Sequence, residues 1–222
     1  MGRCLECRGG RCHGAGTPLA RLLSNTAMSA AELPALRVSV LGPLTLTVEG
    51  REVAIPGVKR RITLALLAVA DGATVAGDDL IDALWPDDPP RRAAAALQSH
   101  ISRVRSHLGV AADQLVASGR GYRLRLRHGQ LDVHAARDGL ADARTVADDD
   151  PAAAADRLAT VRALWRGRAL AEFGDLLQIA SRGIALDDLR REVDALLIQC
   201  ALRAGDLDRA VAASATAVAD DP

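Results

Sequence analysis

Aromatic side chains are almost missing from this sequence: two Trp, one Tyr and one Phe make up 2% of its 222 residues. A core must therefore be assembled from Leu, Val, Ile and Ala, which favours closely packed helices over aromatic-filled sheets. Lysine is nearly absent too, Lys59 being the only one among 28 basic residues. Of four cysteines, Cys4, Cys7 and Cys12 crowd the first twelve positions and Cys200 stands alone, which gives no disulfide framework. The cluster "CLECRGGRCH" offers ligands for zinc, but the segment around it is rich in Gly and Arg and has no apolar periodicity to fold about a metal. It is read as part of a leader that precedes a second start at Met28. No apolar signal region opens the chain, and no run approaches the ~18 residues of a membrane span, so a cytoplasmic protein that avoids the membrane is expected. A Gly-rich phosphate loop, an HExxH pair and a Gly-x-Ser-x-Gly elbow are all lacking; the "DD" and "DDD" clusters fall at helix starts and turns, where carboxylates suit the helix dipole. Neither an enzyme, a cofactor nor a metal is expected.

What is present is 49% hydrophobic content and a formal net charge of zero that conceals a strong asymmetry. Residues 28–130 carry thirteen basic and ten acidic side chains, whereas residues 131–222 carry eleven and seventeen. The excess in the first block is concentrated between residues 91 and 130, where eight arginines face the single acid Asp113. A basic block followed by an acidic one suggests a polyanion site beside a different module.

Periodicity divides the chain into three parts: a leader over 1–34, a mixed domain over 35–130 and a helical domain over 131–222. After Pro34, "LRVSVLGPLTLTVEGREVAIP" alternates apolar and polar residues with turn signals at Gly42-Pro43 and Glu49-Gly50, predicting a small antiparallel sheet. "VKRRITLALLAVADG" changes to helical spacing with Ile62, Ala65, Leu66 and Val69 on one face. "GDDLIDALWPDDPP" predicts a short helix capped by Asp78 and ended by Pro86. A third helix from Arg91 to Gly109 buries Leu97, Ile101, Val104 and Leu108, placing Arg92, Ser99, Ser102, Arg103 and Ser106 opposite and Arg105 on a flank. "QLVASGRGYRLRLRHG" reads as a hairpin turning at Ser118–Gly121, with arginines alternating against Tyr122, Leu124 and Leu126. Beyond Leu131 helices are predicted over 133–147, 152–165, 186–204 and 206–219, the last two resembling one tetratricopeptide unit. The fold class is thus mainly α with small β elements: an N-terminal sheet with a winged helix-turn-helix, then a TPR-like helical domain.

A helix fits the major groove of DNA; small serines permit close approach and flanking arginines reach phosphates or guanine edges. Arg120 at the hairpin tip suits a minor groove, and Arg123 and Arg125 suit a phosphate backbone. Tyr122, Trp85 and Trp165 are read as core, and His100 and His107, seven apart, as edge residues of the third helix rather than a zinc pair. The runs "LRVSVLGPLTLTVEGREVAIPGVKRRITLALLAV", "LIDALWPDDPPRRAAAALQSHISRVRSHLG" and "LVASGRGYRLRL" together resemble the SARP-type (AfsR/DnrI/RedD) transcriptional activators. "LDVHAARDGLADA", "ALWRGRALAEF" and "LDDLRREVDALLIQCALRAGDLDRAV" resemble the bacterial transcriptional activator domain of the same regulators. The resemblance implies an OmpR-like winged helix and makes the helix with Ser102, Arg103 and Arg105 the recognition helix. It makes the hairpin with Gly121-Tyr122 the wing, and Lys59, Arg60 and Arg61 a basic segment facing the DNA backbone. It further implies double-stranded DNA as partner, RNA polymerase holoenzyme approached through the loop Pro86–Pro90, and a homodimer on direct repeats. Two other readings of the same residues are a helical interaction adaptor without DNA binding and a zinc-dependent sensor.

Overall fold

The computed structural model describes residues 36–174 and 176–220; the cysteine cluster and the rest of the leader lie outside the described residues. The alternating run after Pro34 pairs as an antiparallel meander of β1 (Leu36–Ser39), β2 (Thr45–Val48) and β3 (Arg51–Glu52). Its register sets Leu36 against Val48 and Val38 against Leu46, so one face carries the apolar residues inward, as a period of two requires.

Helix α1 (Val58–Val69) departs from the one-faced pattern: every residue from Ile62 to Ala68 is buried. The reason is that α1 packs against later helices on more than one side, including the long helix α6 introduced below. Strand β4 (Val75–Ala76) leads into α2 (Gly77–Leu84), which begins one residue before the expected cap. Ala76 occupies the N-cap, and Asp78 and Asp79 sit inside the first turn, favourably placed towards the dipole. Helix α3 (Ala93–Leu108) buries Leu97, Ile101, Val104 and Leu108, the predicted stripe, and stops at Gly109 with φ 54°. Each such leucine removed from water contributes roughly 1.5–3 kcal/mol, which fixes the side of α3 that faces inward. A 3-10 segment (Gly109–Gln114) then delivers β5 (Leu115–Ser118) and β6 (Gly121–Leu124), with β4 completing a second sheet in the order β4-β6-β5. The turn has positive φ only at its first central residue, Gly119 (57°), as a type II′ turn does. Gly121 is demanded by close approach: a Cβ there would lie 2.0 Å from the Val75 carbonyl oxygen.

The second half is helical: α4 (Asp132–Val146), α5 (Pro151–Arg162), α6 (Leu177–Ala204) and α7 (Leu207–Asp220). The "DDDP" run caps α5, where the Asp150 carboxylate accepts from the Ala153 N–H at 2.9 Å and Pro151 takes the first position. Helix α6 is longer than its predicted 186–204 span, because Ile179 and Leu186 continue the inward spacing of Val193, Leu197 and Cys200 past Gly183. Between α5 and α6 runs an irregular segment in which Trp165, Leu170 and Phe173 are buried.

The first sheet is where the two halves meet. The Asp132 carboxylate, at the start of α4, accepts from the N–H groups of Val40 (2.9 Å) and Leu41 (3.0 Å), both buried. Arg166 N–H donates to Leu41 O at 2.8 Å, Leu170 N–H to Gly42 O at 3.0 Å, and the Glu172 carboxylate accepts from Leu44 N–H at 2.8 Å. A parallel bridge joins Val38 to Leu131. At the end of α1, Asp71 receives His134 (2.7 Å) and Arg137 (3.3 Å) from α4.

Candidate nucleic-acid interface

The core stripe of α3 leaves Ser99, Ser102, Arg103 and Ser106 exposed on the helix's outer side. Ser106 turns its hydroxyl back to Ser102 O (3.1 Å), a local bond that keeps the side chain short against the helix. Arg92 is exposed at the N-cap of α3 and makes no capping bond. In the hairpin, Arg120 occupies the exposed turn while its carbonyl accepts from Gly77 N–H at 3.0 Å, fixing the tip to the start of α2. Arg123 is half-buried with its Nε unpartnered, and Arg125 is exposed.

Lys59 and Arg60, in the first turn of α1, converge with Arg103 of α3 on His100. The imidazole is held below its ordinary pKa by burial first, then by repulsion from Lys59, Arg103 and Arg60. His100 tilts against the Trp85 ring at 5.6 Å between centroids, and the Lys59 ammonium lies 4.4 Å from the centre of the same ring. Sequence spacing gives no signal for this stack, since its members come from α1, α3 and the residue that follows α2.

Two arginines of the basic segments have partners within the fold. Arg61, grouped above with Lys59 and Arg60, is turned away to Glu172 (2.7 Å) and Leu44 O (3.1 Å), joining the interior sheet to the helical half. Arg105 spends its Nε–H on Leu115 O at 2.8 Å. Among the described residues, none of Arg91, Arg92, Arg103, Arg105, Arg120, Arg123, Arg125 and Arg127 forms an ion pair with a carboxylate. Past residue 130 the reverse holds: Arg144 pairs with Glu192, Arg162 with Asp194, Arg190 with Asp220 and Arg203 with Asp148. Positive charge thus remains uncompensated on one helix and one hairpin, the arrangement that attracts a polyanion.

A helix-turn-helix closed by a three-stranded wing defines the winged-helix class, and known proteins place the chain further. Residues 51–124 match the model described as "Transcriptional regulatory protein, C terminal", and residues 131–222 match "Bacterial transcriptional activator domain". The chain is 34% identical over 188 residues to the regulatory protein AfsR of Streptomyces griseus, covering 84% of this chain and 18% of that protein. It is 31% identical over 192 residues to the transcriptional regulatory protein MoaR1 of Mycobacterium tuberculosis, covering 82% and 60% respectively. A solved structure of Mycobacterium tuberculosis EmbR, in complex with a low affinity phosphopeptide, aligns with a TM-score of 0.73 at 27% identity. It covers 80% of this chain and 48% of EmbR. The two matched domains, in this order, and these relatives support the SARP-type family of transcriptional regulators. It spans less than two thirds of the length of these relatives. No helix among the described residues is long and apolar enough to cross a membrane.

Proposed function

We propose that the chain is a sequence-specific, double-stranded-DNA-binding transcriptional regulator, an activator that binds promoter direct repeats as a homodimer and recruits RNA polymerase in the cytoplasm. The observation that carries the DNA reading is the set of arginines on α3 and the β5–β6 hairpin that no acid among the described residues neutralises, against Arg144, Arg162, Arg190 and Arg203 of the helical half, which are paired. In this reading α3 enters the major groove with Ser99, Ser102, Arg103 and Ser106 towards the bases. Arg92, Arg123 and Arg125 meet phosphates, Arg120 reaches the minor groove, and Lys59 and Arg60 approach the backbone beside Arg103. The helical half supplies the contact with protein: Leu202, Leu207, Val211 and Val218 form an exposed apolar face on α6 and α7.

A salt titration of the full chain on duplexes it selects from a random pool tests the reading. If Lys59, Arg60, Arg92, Arg123 and Arg125 each neutralise one phosphate, log K falls with log salt at a slope of roughly −4.5. Absence of binding at low salt, or a slope near zero, refutes the DNA function and leaves an adaptor acting through the apolar face of α6 and α7.

A further inference from the structure

We infer that Arg105 is a positioning residue that couples the recognition helix to the wing, and not one of the phosphate contacts. The inference rests on the DNA-binding reading above and assigns one of its arginines a different task.

The covalent route from α3 to the hairpin is a hinge of a kind: it passes through Gly109, at φ 54°, and then the 3-10 segment Gly109–Gln114. Across that route, ten positions apart in sequence, Arg105 Nε donates to Leu115 O at 2.8 Å. Leu115 opens β5, an edge strand in the order β4-β6-β5. The bond from Arg125 N–H to Gln114 O makes 114 and 125 a hydrogen-bonded pair, so the next pair, Leu115 and Leu124, is non-hydrogen-bonded. The Leu115 carbonyl therefore points out of the sheet edge, away from β6. Leu115 is only 1% exposed. A buried carbonyl without a ladder partner is costly, and the guanidinium supplies the donor. Arg105 is itself half-buried, unlike the exposed Arg103 two residues earlier, and no carboxylate among the described residues competes for it. The far end of the wing is fixed separately, by Gly77 N–H to Arg120 O, to α2. With both ends held, the base-facing side of α3 and the hairpin tip keep one spacing.

Two substitutions separate the tether from the charge. In Arg105→Gln the amide nitrogen replaces Nε at the same point along the chain, keeping a donor and losing the charge. In Arg105→Lys the charge stays and the planar N–H is lost. Binding of the full-length variants to the selected duplex is measured by fluorescence anisotropy across a salt series, with thermal melts as a folding control. The expected result is that Arg105→Gln binds within about three-fold of wild type with an unchanged salt slope, while Arg105→Lys weakens binding about ten-fold. In the Arg105→Lys background, Arg120→Ala should then cost less than it does alone, because the wing tip has already lost its setting. The opposite pattern overturns the inference: Lys near wild type, and Gln weakened with a slope shallower by about 0.9, marks a phosphate contact. If Arg105→Lys fails to fold, Arg105→Gln decides by itself. Failure of the wild-type chain to bind any duplex overturns the DNA reading instead, and is told apart by that control.

Discussion

Asp132 accepts hydrogen bonds from backbone groups that precede it by 91 and 92 positions, so nothing local in the sequence announces its work. An acid in the first turn of a helix reads as a partner for that helix's dipole, as the "DD" and "DDD" clusters do. Here the carboxylate also terminates β1 for the sheet, satisfying two buried N–H groups at once. Asp132→Ala leaves both donors without a partner and should lower unfolding free energy by about 3 kcal/mol or more, whereas Asp132→Asn, which keeps one acceptor, should cost about half that; urea denaturation measures both. Burial raises the Asp132 pKa above the ordinary carboxylate value of 3.8, more than the Val40 and Leu41 N–H groups and Arg166 lower it. The folded state therefore holds the proton more tightly than the unfolded chain, and this group's contribution to stability declines as pH rises from about 3.8 through the higher folded value. The exposed serines and Arg103 of α3 were legible residue by residue, because a helix with one apolar stripe dictates its opposite side. The Arg105 tether and the Lys59–Trp85–His100 stack were not, because each depends on which neighbour the fold brings alongside.

At the scale of elements, the wing shows why its turn sequence is so constrained. "SGRG" was readable as a hairpin turn, yet the second glycine serves a different end from the first. Gly119 supplies the turn's positive φ, and Gly121 makes room for β4, whose Val75 carbonyl would sit 2.0 Å from any Cβ. Gly121→Ala must push β4 off β6, opening the pairs Val75–Tyr122 and Ala76–Gly121. An expected loss of about 1–3 kcal/mol in stability accompanies faster amide exchange at β4 and β6 than at α5, read by hydrogen–deuterium exchange. Equal exchange in all elements counts against this local account. Helix α6 taught a different lesson about legibility: its first ten residues contain Gly183 and polar neighbours that dilute the periodic signal, and only tertiary burial of Ile179 and Leu186 carries the helix that far. Helix α1 is legible from its spacing but its surroundings are not, since one apolar face is expected and seven consecutive residues are covered.

For the whole molecule, the division into a basic block and an acidic block was visible by counting charge, while the seam between them was not. Asp132, Arg166, Leu170 and Glu172 all reach back to residues 40–44, making the first sheet a shared piece. The match to the first family model begins at residue 51, beyond β1 and β2. Such a seam should make both halves unfold together. The two tryptophans report on each half independently, Trp85 after α2 and Trp165 after α5. Trp85→Phe and Trp165→Phe variants, each retaining one fluorophore, should show denaturation midpoints that agree once the variants' own stability changes are taken from circular dichroism. Separate midpoints within one variant, one by fluorescence and one by circular dichroism, mean that the seam is weak. Glu172 gives the seam a practical meaning. Its carboxylate holds both the Leu44 N–H and the Arg61 guanidinium, so the residues facing the helical half lie in the sequence of the other half. A chimera cut at residue 130 would inherit a helical module without the surface it was fitted to. Swapping modules between relatives should succeed only when residues 36–48 and position 61 travel with the helices.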